Sequence, residues 1–320
     1  MVKVLVTGCS TGAGRGMALE FAARGCEVLA TARSLSSIQD LAGGNIKIAQ
    51  VDVTVPKTLI EAVQNFGVID IAIANAGLSS FSPLIEQELS IIEDVLRTNS
   101  VGVVATAKAV APGMIEQRSG LIIAIGSVSG AMITPYAGAY CASKAAVTAL
   151  CSALRMELAP FGISVMEVVA GSIKSNFSVN AMKTSTLPES SRYAKLQPYI
   201  NGRVNASQGD QAVSAETFAK DVADAALSQH PPPSRITAGG AAVKYDRIGR
   251  FYPRAMWEAR ISKAFGIHLL KDDSTTVNTG RQSNPLAATS VGGMLANPTA
   301  MFGLGALAVI MAVSFAAMRS

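Results

Sequence analysis

Seven short apolar runs, separated by stretches of helical spacing, limit what this chain can fold into. The runs are 3–7 (KVLVT), 27–31 (EVLAT), 46–51 (NIKIAQ read on into Val51), 70–74 (DIAIA), 120–126 (GLIIAIG), 162–168 (GISVMEV) and 234–238 (SRITA). Helical patterns lie near 14–24, 55–66, 86–116, 138–159 and 214–229. Strand and helix in alternation point to βαβ units and a parallel sheet. Runs apolar on both sides suit a sheet covered by helices on both faces. The expected fold is α/β, a doubly wound parallel sheet of seven strands.

Composition narrows the class. The 320 residues suffice for a large buried core. Charged residues make up 15% and hydrophobic residues 49%, the opposite of a disordered chain. Lys and Arg number 27 against 22 Asp and Glu, with no basic run and only 5% aromatics, so a nucleic-acid surface is not expected. The cysteines at 9, 26, 141 and 151 form no CxxC pair, and the histidines are two. No metal site is expected, and the thiols read as reduced.

After Gly171 the rhythm loosens. Residues 172–211 are rich in Ser, Asn, Lys and Tyr and follow the sixth strand, where a doubly wound fold places a ligand-covering insertion. Residues 241–285 form an extension. Its segment 245–270 spaces apolar and basic residues helically around the single Trp, as a packing helix or one lying on a membrane surface. A linker is expected over 286–299. From 300 to 318 the sequence reads AMFGLGALAVIMAVSFAAM, about 28 Å as a helix against about 30 Å of bilayer core. It is expected to be a transmembrane tail, with a hairpin in a lipid monolayer or a buried helix as alternatives.

The first strand runs into Thr7-Gly8-Cys9-Ser10-Thr11-Gly12-Ala13-Gly14, and a helix follows. Gly8, Gly12 and Gly14 let backbone approach a pyrophosphate, while Ser10, Thr11 and the helix N-terminus supply donors. The second strand ends in Ala32-Arg33, where an acid would normally hold a ribose 2′-hydroxyl. Arg33 instead suits a 2′-phosphate, which indicates NADPH. Asp52 can bond an adenine amino group and Val53 can pack against its ring. Asn75-Ala76-Gly77 follows the fourth strand, where the small residues leave room for the cofactor.

Tyr140 and Lys144 stand at i and i+4, on one face of a helix. An ammonium beside a phenol lowers its pKa, making Tyr140 a usable acid or base. Ser127, thirteen residues earlier, can polarise a carbonyl. Asn99 falls mid-helix, a locally unfavourable place that makes sense if it holds a water in a proton relay.

Taken together, TGCSTGAG at 7–14, DV at 52–53, NAG at 75–77, Asn99, Ser127 and YCASK at 140–144 resemble the short-chain dehydrogenase/reductase family over about residues 1–240. The resemblance implies a Rossmann domain with Tyr140 as acid/base. It implies that Lys144 binds the nicotinamide ribose, Ser127 orients the carbonyl, Asn99 supports the relay and Ile173 contacts the carboxamide through its backbone. The family's Pro-Gly after the sixth strand is replaced by Ala170-Gly171. CSTGAGRGMALEFAARG, ATARS and FYPR at 251–254 are similar to the fungal NADPH-dependent 1-acyldihydroxyacetone-phosphate reductases. That similarity implies a lipid-like substrate, a membrane tail, residence at the endoplasmic reticulum or lipid droplet, and a possible homodimer. A phosphorylated substrate needs a cation, for which Lys174, Arg192, Lys195 and Arg203 are candidates. A steroid, retinoid or secondary-metabolite ketone, and a non-catalytic NADPH-binding membrane protein, are the alternatives.

Overall fold

The computed structural model describes residues 1–175, 185–205, 208–228 and 231–275. The expected linker and tail at 286–318 lie outside them, as does part of the insertion. Among the described residues no helix is long and apolar enough to cross a membrane.

Seven parallel strands form one sheet in the order β3-β2-β1-β4-β5-β6-β7. They are β1 (Lys3–Thr7), β2 (Glu27–Ala32), β3 (Ile46–Gln50), β4 (Ile71–Ala74), β5 (Gly120–Ile125), β6 (Ile163–Ala170) and β7 (Arg235–Ala238). The register pairs Thr7 with Thr31, Val6 with Ile73, and Ala74 with Ala124. The carboxyl ends of the central strands therefore reach one edge together. The order reverses between β1 and β4, which opens the crevice where such sheets bind ligands.

Strand residues alternate between two cores. Val4 and Val6 meet Met17 and Phe21 of α1 (Gly12–Ala23) and Phe218 of α7 (Ala215–Leu227). Leu5 and Leu29 meet Leu59 of α2 (Pro56–Phe66), Val110 of α4 (Gly102–Glu116) and Val147 of α5 (Gly138–Leu158). Each large side chain buried this way contributes about 1.5–3 kcal/mol. The four cysteines are buried and free.

The pattern at 86–116 predicts one helix, but the structure interrupts it. A π-helical turn, Arg97–Val101, separates α3 (Leu89–Leu96) from α4. The extra residue of such a turn rotates side chains out of α-helical phase. Asn99 is thereby buried.

The insertion carries α6 (Gln197–Asn205), and the extension carries α8 (Ala242–Phe251) and α9 (Arg254–Ala264). Met1–Ser274 form one compact unit, so α8 and α9 belong with the sheet. Trp257 donates Nε1–H to the Ile133 carbonyl at 2.8 Å. The packing reading of this segment thus has a contact to support it. Phe251 nevertheless stays 81% exposed.

One charged cluster fastens the extension to the sheet. The Arg235 guanidinium donates to both Asp246 oxygens at 2.8 and 2.7 Å and to Glu167 Oε2 at 3.1 Å. The Thr148 hydroxyl completes Glu167 at 2.6 Å. Glu167 and Asp246 are buried. Removing their common cation leaves Glu167 without a counter-charge in a low dielectric and leaves Asp246 to Arg250, whose Nε lies 3.3 Å from its Oδ2. Arg235→Met is expected to lower unfolding free energy by about 3–5 kcal/mol, read from urea denaturation; a change below about 1 kcal/mol would show the cluster to be dispensable.

Candidate active site

The glycine turn is built from close approaches. Gly8 has φ +76°, and a Cβ there would lie 2.8 Å from the Ala76 Cα. A Cβ on Gly14 would meet the Gly8 carbonyl oxygen at 2.2 Å and Asn75 Nδ2 at 2.4 Å. Gly14 thus makes room for neighbouring chain segments. Ser10 and Thr11 are exposed at the entry to α1. Thr11 stands at its N-cap without a side-chain cap, leaving the first amides open to an anion.

Asn75 joins this turn to β4. Its Nδ2 donates to the carbonyls of Thr7 at 2.8 Å and Gly8 at 3.2 Å. The amides of Asn75 and Ala76 donate to Thr7 Oγ1 at 3.0 and 3.1 Å. Gly77 is exposed beside them.

Arg33 is exposed past the end of β2 and has no carboxylate partner among the described residues. Ala32 is buried, so no acid competes for a 2′-phosphate there. Asp52 Oδ1 accepts from the Thr54 amide at 2.9 Å and hydroxyl at 2.7 Å. Val53 is buried in the second core against Gly102, where most of its side chain serves packing. Ile173 bridges to Val213 through the Ser172 carbonyl and the Lys174 amide, which leaves its own N–H and C=O outside that bridge. These residues fit a dinucleotide with a phosphorylated ribose.

The candidate catalytic side chains converge at the carboxyl ends of β4 and β5. Ser127 leaves β5 in extended backbone, and its hydroxyl accepts the Ser129 amide at 3.1 Å. The same hydroxyl is hydrogen-bonded to the Tyr140 phenol. Tyr140 and Lys144 occupy adjacent turns of α5, with Lys144 Nζ 5.9 Å from the Tyr140 ring centre. Nζ also donates to the Ile125 carbonyl at 2.7 Å.

Asn99 acts as a clamp. Its Oδ1 accepts the Leu78 amide at 2.7 Å. Its Nδ2 donates to the Leu78 carbonyl at 2.8 Å and to Ser143 Oγ at 2.9 Å. Ser143 Oγ then donates to the Tyr140 carbonyl at 2.7 Å. Both amide hydrogens are spent on protein, so this side chain has none left to donate to a relay water. Ser143 went unnoticed in the sequence, although it lies inside YCASK.

The electrostatics differ from the expectation. Lys144 was expected to lower the Tyr140 pKa. Burial instead dominates and raises it, against lowering by the Ser127 hydrogen bond and the charge of Arg203. Lys144 is itself buried, which pulls its ammonium down to about 8. Of the four cations in the insertion, only Arg203 reaches the catalytic wall. Lys174, Arg192 and Lys195 are exposed. Phe81, whose ring lies 6.4 Å from that of Tyr140, was also missed. No spacing signal connects residue 81 with residue 140.

The comparisons agree with this geometry. The family profile "short chain dehydrogenase" matches residues 2–186. The short-chain dehydrogenase cctT of Talaromyces islandicus is 34% identical over 231 residues, covering 68% of this chain and 81% of its own. The NADPH-dependent 1-acyldihydroxyacetone phosphate reductase of Schizosaccharomyces pombe is 32% identical over 235 residues, covering 71% and 77%. A serine dehydrogenase solved in its closed form with NADP+ superposes with a TM-score of 0.66 at 27% identity, covering 75% and 95%. The chain belongs to the short-chain dehydrogenase/reductase family. It is an oxidoreductase acting on CH–OH groups or the carbonyls formed from them.

The buried lysine has a consequence for stability. Its pKa in the folded chain lies below that of the unfolded chain, so the unfolded state binds more protons between about 8 and 10.5. The ammonium costs stability below that window, and the cost is relieved as pH rises through it. The melting temperature of wild type relative to Lys144→Met is expected to climb from pH 7.5 to 10.5, by a free energy of up to about 3 kcal/mol. Parallel melting curves would contradict the depressed pKa.

Proposed function

We propose that this protein is an NADPH-dependent reductase of a lipid-like ketone. The substrate is 1-acyl-dihydroxyacetone phosphate and the product 1-acylglycerol 3-phosphate. The observation that carries the reductive reading is the half-buried Tyr140, whose phenol is hydrogen-bonded to Ser127. A phenol whose pKa is raised stays protonated at neutral pH, which suits a proton donor. NADPH, when bound, supplies the hydride that the carbonyl carbon accepts. Tyr140 Oη gives its proton to the carbonyl oxygen, so ketone, hydride and proton make a secondary alcohol. Ser127 holds the phenol in place and orients the carbonyl. Lys144 keeps a cation close to the phenolate that remains.

Two observations support the lipid substrate. Tyr140 packs near Phe81, which belongs to a buried apolar cluster with Tyr136, Leu196, Ile200 and Val204, so the phenol has an apolar wall beside it. The S. pombe reductase, whose name states this activity, is similar over most of its length. Arg33 supports the choice of NADPH over NADH. The apolar sequence 300–318 supports anchoring at the endoplasmic reticulum or lipid droplet, with the catalytic domain on the cytosolic side. A homodimer is part of the same reading.

The full chain in detergent is assayed by NADPH oxidation with the acyl phosphate, a steroid ketone and retinal. Tyr140→Phe is expected to lower turnover at least about a hundredfold. Arg33→Ala is expected to lower the NADPH-to-NADH preference roughly tenfold to a hundredfold. Turnover confined to the uncharged ketones would discard the phosphate substrate, and tight NADPH binding without any turnover would favour a non-catalytic protein.

The anchor has its own test. The full chain is expected to float with phosphatidylcholine vesicles after an alkaline wash, and residues 1–285 to stay behind. Equal behaviour of the two would dismiss the tail as an anchor.

A further inference from the structure

Arg203 is a cation beside the catalytic phenol, with no carboxylate to match it among the described residues. It lies near the end of α6, and its Nε donates to Thr134 Oγ1 at 2.7 Å. The guanidinium carbon sits 4.9 Å from the Phe81 ring centre. Phe81 in turn packs 6.4 Å from the Tyr140 ring. Cation, aromatic ring and catalytic phenol are packed in succession, with Phe81 buried between the other two. Arg203 and Tyr140 also affect each other's ionisation through charge.

Among the described residues no carboxylate lies within ion-pair distance of Arg203. Several other arginines, unlike Arg203, are matched: Arg15 with Asp40, Arg24 with Glu20 and Asp224, and Arg235 with Glu167 and Asp246. A partly buried guanidinium without an acid loses hydration and regains little, so burial lowers its pKa. A bound anion would reverse that loss. The bond from Nε to Thr134 sets the plane of the fork, which leaves the terminal nitrogens to meet a tetrahedral or planar oxyanion.

We propose that Arg203 is the receptor for the anionic group of the substrate, a phosphate ester on the carbon next to the ketone. It makes the active site select a charged ketone over a neutral one. The identity of the anion as a phosphate ester rests on the acyl-dihydroxyacetone phosphate reading; the existence of an anion site does not. Neutralising Arg203 with substrate also removes a charge that favours the phenolate, so Tyr140 holds its proton until the carbonyl takes it.

The test uses the full chain with NADPH and two substrates, acyl-dihydroxyacetone phosphate and the same ketone without phosphate. Arg203→Met is expected to lower the ratio of kcat/KM for charged over neutral ketone tenfold to a hundredfold, chiefly through KM, and Arg203→Lys to restore part of it. Arg203→Gln keeps a polar group for Thr134 and serves if the Met variant does not fold. A second readout needs no turnover: 1-acylglycerol 3-phosphate and inorganic phosphate are expected to raise the melting temperature of wild type and not of Arg203→Gln. An equal loss on both substrates with an unchanged melting shift would overturn the receptor and leave the substrate reading intact. A melting shift that depends on Arg203, without turnover of the acyl phosphate, would keep the anion site and discard that substrate. No shift with either anion, together with an unchanged substrate ratio, would overturn the proposal.

Discussion

The hydrogen-bonded latch between Thr7 and Asn75 is the constraint on which the cleft depends. β1 and β4 are neighbours whose chains part at their carboxyl ends. Thr7 Oγ1 accepts the Asn75 and Ala76 amides and donates to the Ile73 carbonyl at 3.3 Å. Asn75 returns its side-chain amide to Thr7 and Gly8. A buried polar group costs energy unless it is paired, and here each pairing also locates a loop. With Gly8 set, Gly14 and the start of α1 have one place to go. The chain leaving Gly77 then meets Asn99, which grips Leu78 by both main-chain groups.

Charge in this domain is divided by location. The buried carboxylates Glu167 and Asp246 are consumed by Arg235 and, for Asp246, also by Arg250, on the side where the extension joins the sheet. The catalytic side holds Lys144 and Arg203 beside a phenol that burial keeps neutral. Such an arrangement leaves the cleft electropositive without exposing a basic surface. It suits a cofactor that brings phosphate.

Packing explains why the C-terminal extension is built into the enzyme. Tyr136 has a left-handed φ of 65° and donates its hydroxyl to the Phe265 carbonyl at 2.6 Å. Its own carbonyl accepts the Ser82 amide at 2.8 Å. A bulky residue keeps that conformation only where its surroundings hold it. Phe265, Ile267 and Trp257 supply part of that hold, so α8 and α9 help shape the segment that carries Thr134, the partner of Arg203.

Periodicity alone located seven strands to within two residues at each end, because a strand buried on both faces must be apolar throughout. The glycine turn, Arg33 and the Tyr140–Lys144 spacing were equally legible, since each depends on local chain geometry. What lay beyond reach depended on contacts between distant segments. The π turn at Arg97–Val101 is invisible in a helical pattern, yet it sends Asn99 to Leu78 and Ser143. The rise in the Tyr140 pKa reverses the effect expected of a nearby lysine, because desolvation is a property of the packed interior. Four cations in the insertion looked alike; only folding α6 against Phe81 set Arg203 apart. Sequence by itself therefore determined the sheet and the glycine-rich turn after β1, and it placed Tyr140 and Lys144 on one helix face, which follow from backbone geometry and near-neighbour spacing. Tertiary structure decided which charges are buried, which are paired and which face the substrate, because dielectric and distance exist only once the chain has packed.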